Sequence, residues 1–189
     1  MRLLGIDPGL RSTGWGVISV NGNNLQHVAN GAVQPDHRLP DADRLAVIYK
    51  DLADVISDFS PDRAAVEQIF VAKSASSALR LGMARGVGIL ICGQSEVPLI
   101  EISARAVKKA VSGSGRADKS QVKKMVTRLL STTPFNEDAS DALAVAIAAA
   151  NNAGKLASLG FTLQQDASSN GLSTAISDAL RRENASKRD

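Results

Sequence analysis

The chain has 189 residues, 44% of them apolar, a formal net charge of +3 and one cysteine, Cys92. That length and apolar share support one domain with a sizeable core plus a tail, and a lone thiol excludes intrachain disulfides and thiolate metal clusters. No run approaches the ~20 apolar residues of a membrane span, and the N-terminus enters a strand pattern at once without a signal peptide's basic and apolar regions, so the expectation is a cytoplasmic protein with no membrane association.

Leu3-Leu4-Gly5-Ile6 is a short apolar run of the kind buried on both faces of a sheet. Pro8 biases Asp7 toward extended geometry and Gly9 permits an abrupt exit, which places Asp7 at a strand end, over the crevice where α/β folds bind ligands. The same residues would also serve a plain turn with Pro8 at its second position. Residues 10–20 and 25–34, separated by Asn21-Gly22-Asn23-Asn24, predict a hairpin that extends the first strand into an antiparallel meander of three. Gly14 and Gly16 flank Trp15 within the second strand and are expected to mark a bulge or close approach that leaves room beside Asp7.

Leu45, Ile48, Leu52, Val55, Ile56 and Phe59 recur at helical spacing, which predicts a helix over 44–59 closed by Pro61. Residues 62–70 read as a central strand. Strand, long helix, strand is the parallel crossover arrangement, and it brings Glu67 out at the same sheet end as Asp7. A carboxylate inside an apolar strand is costly unless it is paired or coordinates a cation. Residues 74–92 are helical by pattern, with Cys92 as a small core residue. Gly82, Gly86 and Gly88 there predict a close approach, at a subunit interface or on the sheet. A fifth strand over 97–102 and a helix over 103–111 follow.

Charge is unevenly spread. Residues 102–130 hold Arg105, Lys108, Lys109, Arg116, Lys119, Lys123, Lys124 and Arg128 against Asp118 alone, a local +7 that leaves −4 for the rest of the chain. Such a block on an otherwise acidic molecule is the footprint of a polyanionic partner. Within it, Ser112-Gly113-Ser114-Gly115, flanked by Lys108, Lys109, Arg116 and Lys119, is expected to meet phosphates through backbone N–H groups and hydroxyls. The last core helix opens near Asn136, a suitable N-cap, and Asp138 and Asp141 project from one of its faces.

Asp7 and Glu67 at neighbouring strand ends, facing Asp138 and Asp141, would gather four negative charges in one small volume. Protons or hard divalent cations with oxygen ligands relieve such repulsion, and Mg²⁺, or Mn²⁺ in its place, is the natural occupant at neutral pH. Two such ions roughly 4 Å apart would support in-line phosphodiester displacement, with the basic block holding the polyanion. His27 and His37 have no credible nucleophile nearby, and neither a nucleotide-cradling nor a dinucleotide glycine signature is present.

Gly5-Ile6-Asp7-Pro8-Gly9, Glu67-Gln68-Ile69-Phe70, Lys119-Ser120-Gln121-Val122 and Asp138-Ala139-Ser140-Asp141-Ala142-Leu143-Ala144, in that order, resemble the RuvC family of Holliday-junction resolvases over about residues 1 to 153. The resemblance implies an α/β, ribonuclease H-like fold, here with a five-stranded mixed sheet, and a homodimer. It implies Mg²⁺-dependent symmetric nicking of four-way DNA junctions in recombination and repair, in cooperation with the RuvA–RuvB branch-migration complex. It assigns Asp7, Glu67, Asp138 and Asp141 as metal-binding catalytic acids, Lys108 and Lys119 to the scissile phosphate, and Phe70 to stacking on an opened base. Lys109, Arg116 and Lys123 complete the expected DNA-binding set. Ser140 stands where the family often has Ala, between intact acids.

Two other readings share these residues: a ribonuclease H-like nuclease of the YqgF type acting on RNA, and a non-catalytic junction-binding module. The nuclease domain is expected over 1–154. The polar remainder, 155–189, is expected to be disordered or to form a short helix through Leu172, Ala175, Ile176, Ala179 and Leu180.

Overall fold

The structure, a computed structural model, describes residues 1–68 and 75–158. Phe70 and the expected tail helix lie outside the described residues. Ten elements follow in chain order: β1 Arg2–Asp7, β2 Thr13–Asn21, β3 Asn24–Val33, α1 Asp41–Phe59, β4 Arg63–Gln68, α2 Ala75–Gln94, β5 Leu99–Ser103, α3 Ala104–Ser112, α4 Lys119–Leu130 and α5 Glu137–Ser158. Met1–Lys155 forms one compact unit. Beyond it, Leu156–Asp189 is a second unit, almost wholly outside the described residues.

The five strands form one sheet in the order β3-β2-β1-β4-β5. β1, β2 and β3 pair antiparallel, as the Asn-Gly turn predicts, whereas β4 and β5 join parallel to β1 through helical crossovers. β1 is therefore central, and the alternation of its side chains divides the core in two. Leu3 packs with Ile18, Ala65 and Ile102 beneath α3, α4 and α5. Leu4 and Ile6 pack with Val17, Ala64 and Val66 beneath α1 and α2.

α5 reaches this sheet because three strand residues lack a side chain. A Cβ on Gly5 would stand 2.0 Å from the Ala142 carbonyl oxygen, one on Gly14 would stand 2.0 Å from that of Asp138, and one on Gly16 would strike Leu143 at 2.7 Å. The helix replies with small residues: Ala139, Ala142 and Ala146 are fully buried. Gly14 and Gly16 thus do permit a close approach, but the space they leave is filled by the helix backbone. The sheet's irregularity falls elsewhere, between Val17 and Ile18.

α2 bears on two expectations. It has the length and, at a mean hydropathy of 1.3, the composition to cross a membrane, which the sequence reading had allowed to no segment. Here it is a layer of the domain: Ala84, Gly88, Ile91 and Cys92 are buried, and Arg85 pairs with Glu101 of β5 at 2.5 Å. Burial pushes the Cys92 thiol up to about 11, as befits an inert core residue. Of its glycines, only Gly88 meets the sheet, where a Cβ would touch Ile6 at 3.7 Å, while Gly82 and Gly86 face open space. Leu79 and Leu90 are left 67% and 53% exposed.

α4 has no counterpart among the sequence expectations, although its start is written in the chain. The Asp118 side chain accepts from the Gln121 N–H while the Gln121 side chain accepts from the Asp118 N–H, a reciprocal capping box, and Val122, Val126 and Leu130 are buried at helical spacing.

Candidate active site

Ile6 of β1 is paired in parallel with Val66 of β4, so Asp7 and Glu67 are the next residues on adjacent strands, whose axes run roughly 4.8 Å apart. Period-two alternation puts Asp7 on the face of Leu3 and Gly5, and Glu67 on the face of Ala65, which is the side covered by α5. Across β1 the register partner of Asp7 is Gly14, the residue on which the Asp138 backbone rests. Asp141 follows Asp138 by three and so shares its face of the helix. The N-terminus of α5 is held by Asn136, whose Oδ1 accepts from the Ala139 N–H at 2.8 Å, as the sequence predicts.

The four carboxylates sense one another. Burial first, then the charges of Asp141, Glu67 and Asp138, push the Asp7 carboxyl from 3.8 up to about 7, against an opposing pull from Lys119. Burial, then Asp141, also raises Glu67, while Lys119 and Lys108 lower it. Both basic residues expected near a scissile phosphate therefore stand within electrostatic reach of the acids. Lys119 goes further, its Nζ donating to Asp141 Oδ2 at 3.0 Å. That hydrogen bond, then the charge of Asp141, raises the lysine above its ordinary value. On the other acid of α5, the Ser12 hydroxyl donates to Asp138 Oδ2 at 2.5 Å.

All four donors are hard carboxylate oxygens, and a divalent cation would offset the negative charge that adds to burial in lifting Asp7 and Glu67, so the residues fit Mg²⁺ or Mn²⁺ in chemistry. Among the described residues no three His, Cys, Asp or Glu side chains are already drawn in to metal-holding spacing. Asp138 is engaged by Ser12 and Asp141 by Lys119. The cluster is coupled electrically but open.

An open pocket of about 380 Å³ adjoins the acids, lined by Lys119, Ser120, Lys123, Glu137, Ser140 and Asp141. A second, of about 460 Å³, lies against the α3–α4 connection, with Ser112, Ser114, Arg116, Gln121 and Lys124 in its wall. Arg116 and Lys123 thus line different pockets, and Lys109 lies in the last turn of α3. The Ser-Gly loop departs from its expected use. Gly113 N–H caps the helix end by donating to the Lys109 carbonyl, while Ser114 N–H donates to Ser112 Oγ and Arg116 N–H to Ser114 Oγ within the loop, so these three amides already have partners.

Ser12 is the site residue that sequence reasoning missed. Its partner lies 126 positions away, and nothing local in the chain announces the contact.

A family model described as crossover junction endodeoxyribonuclease RuvC matches residues 3–149. The chain belongs to the RuvC family. A RuvC crossover junction endodeoxyribonuclease of Xanthobacter autotrophicus is 51% identical over 158 residues, covering 83% of this chain and 94% of that protein. A RuvC from Syntrophotalea carbinolica is 55% identical over 148 residues, covering 78% and 92%. The solved structure of T. thermophilus RuvC in complex with Holliday junction substrate superposes with a TM-score of 0.78 at 30% identity, covering 82% of this chain and 96% of that one. The α/β, ribonuclease H-like fold expected from the sequence is the fold found. RuvC proteins are metal-dependent nucleases that hydrolyse DNA phosphodiester bonds.

Proposed function

We propose that this RuvC-family chain is a Holliday-junction resolvase that nicks two strands of a four-way DNA junction symmetrically, with Asp7, Glu67, Asp138 and Asp141 as its catalytic acids. One observation carries the reading. Two carboxylates at adjacent parallel strand ends and two on a helix seated over Gly5 and Gly14 lie close enough that the charges of Asp141, Glu67 and Asp138 add to burial in lifting Asp7 to about 7. Family membership favours DNA junctions over RNA, and the full set of acids argues against a module that binds without cutting.

The four carboxylates would hold Mg²⁺, two ions per site, with Mn²⁺ as a substitute. Bound ions of this kind activate water and stabilise the attacking and leaving oxygens of an in-line displacement. The chain's own contribution is charge and position. Strand register sets the backbone positions of Asp7 and Glu67 and the seat of α5 those of Asp138 and Asp141, so side-chain movement alone would close the four acids on an ion. Lys119 and Lys108 offer positive charge beside the acids, where the phosphate becomes more negative during displacement. Lys109, Arg116 and Lys123 bind flanking phosphates, a term that sets affinity and register but not sequence. Phe70 stacks on an unpaired base.

Two symmetric nicks require two sites, and a homodimer with twofold symmetry matches a four-way junction. The exposed apolar side of α2, with Leu79 and Leu90, supplies a surface for that contact. The chain works in the cytoplasm with the RuvA–RuvB branch-migration complex. Residues 1–154 act as the nuclease domain and 155–189 as a tail dispensable for chemistry.

The test is junction cleavage in Mg²⁺ by the full chain and by Asp141→Asn. Paired symmetric nicks from the wild type and none from the variant are expected. Intact junctions with the wild type, or full activity in Asp141→Asn, would overturn the reading.

A further inference from the structure

We propose that Ser12 is a positioning residue for the metal-holding acids, fixing the Asp138 carboxylate from the same turn that carries Asp7. The turn is braced from within and from behind. Thr13 Oγ1 donates to the Gly9 carbonyl at 2.8 Å and accepts from the Gly9 N–H at 3.3 Å. Arg44, only 9% exposed, reaches from α1 to donate to the Leu10 carbonyl at 3.0 Å. Gly9 is required there, since a Cβ would stand 2.4 Å from the Ser12 carbonyl oxygen.

From this rigid loop the Ser12 hydroxyl meets Asp138 Oδ2 at 2.5 Å. Among the described residues no hydrogen bond reaches Oδ1, so one oxygen is anchored and the other is left to a cation. A short hydrogen bond to an ionised carboxylate is among the stronger kinds, and it fixes the plane of a side chain that otherwise rotates freely on the first turn of α5. Partners of this sort, one step behind a metal ligand, typically contribute 10- to 100-fold in metal affinity or activity. Ser12 thereby links two ligands distant in the chain: the turn that begins at Asp7 closes by aiming Asp138.

The inference rests on the assignment of the four acids, and the test separates the two. Mn²⁺ binding to the DNA-free full chain is measured by titration calorimetry and by electron paramagnetic resonance for the wild type, Ser12→Ala, Ser12→Thr and Asp7→Asn. Ser12→Ala is expected to bind Mn²⁺ about 10-fold more weakly, with Ser12→Thr restoring affinity because it keeps the hydroxyl. Wild-type Mn²⁺ affinity in Ser12→Ala, with binding lost in Asp7→Asn, overturns the role of Ser12 alone. A lowered melting temperature in Ser12→Ala with unchanged affinity does the same, marking the contact as structural. Wild-type affinity in Asp7→Asn overturns the acid assignment beneath it.

Discussion

Lys119 Nζ and Asp141 Oδ2 lie 3.0 Å apart, joining the start of α4 to the first turns of α5 at the mouth of the acid cluster. The lysine side chain is 76% exposed, so the pair contributes less than about 1 kcal/mol to stability. On the proposed reading its value is electrostatic, as a cation beside developing phosphate charge. Lys119→Met is expected to melt within a few degrees of the wild type while single-turnover nicking falls about 100-fold or more. Comparable nicking rates in the two proteins would reduce the lysine to a surface charge.

The elevated Asp7 predicts a pH dependence with a definite sign. The folded carboxyl ionises at about 7 and the ordinary value is 3.8, so between these limits the folded chain keeps a proton that the unfolded chain has released. Stability from this group is full below the lower value and is lost as pH rises through the upper one. Glu67 is shifted in the same direction and adds to it. In metal-free buffer, Asp7→Asn should therefore gain on the wild type in melting temperature between about pH 5 and about pH 8. Mg²⁺ should raise the wild-type melting temperature more at the higher pH, where it no longer competes with protons. Parallel melting curves for the two proteins across that range would contradict the coupling.

The glycine seat of α5 predicts opposite outcomes for one kind of substitution. A Cβ on Gly5 would stand 2.0 Å from the Ala142 carbonyl and 2.7 Å from the Ala146 nitrogen, both backbone atoms that cannot rotate away. Gly5→Ala is expected to cost about 3 kcal/mol or more in denaturant unfolding, with cleavage impaired by displacement of α5. Gly93 in α2 meets nothing within 4 Å, and Gly93→Ala should gain about 0.5–1 kcal/mol from helix propensity.

The apolar side of α2 predicts an oligomeric state. Sedimentation should show a dimer for the wild type and a monomer for Leu79→Glu/Leu90→Glu, since charges at positions 67% and 53% exposed disturb an interface more than a fold. A dimeric double variant would move the interface elsewhere.

Much of this was legible in the chain. The continuous apolar run before Asp7, the Asn-Gly turn and the helix between two apolar strands gave the sheet its strands and their directions. The four acid positions, at two strand ends and in the first two turns of a helix, followed from the element pattern. What stayed hidden depends on distance along the chain. Ser12 and Asp138 meet only because α5 lies across β2, and Gly5, Gly14 and Gly16 show their purpose only once the helix that rests on them is in place. The Ser-Gly loop misled for a local reason: the residues that would present free amides to a phosphate are also those that cap a helix end or bond within the loop. α4 is hard to read from sequence although its capping box is explicit, because its apolar positions Val122, Val126 and Leu130 are interspersed with Lys119, Lys123, Lys124 and Arg128 and the segment reads as charged surface.

The seating of α5 on β1 and β2 has a consequence during synthesis. Asp7 leaves the ribosome early, but Asp138 and Asp141 arrive over a hundred residues later, and they are placed only when that helix settles into its glycine track. A nascent copy that stops short of that helix carries the basic residues of 102–130 but neither Asp138 nor Asp141, so on the proposed reading it is expected to hold DNA without cutting it.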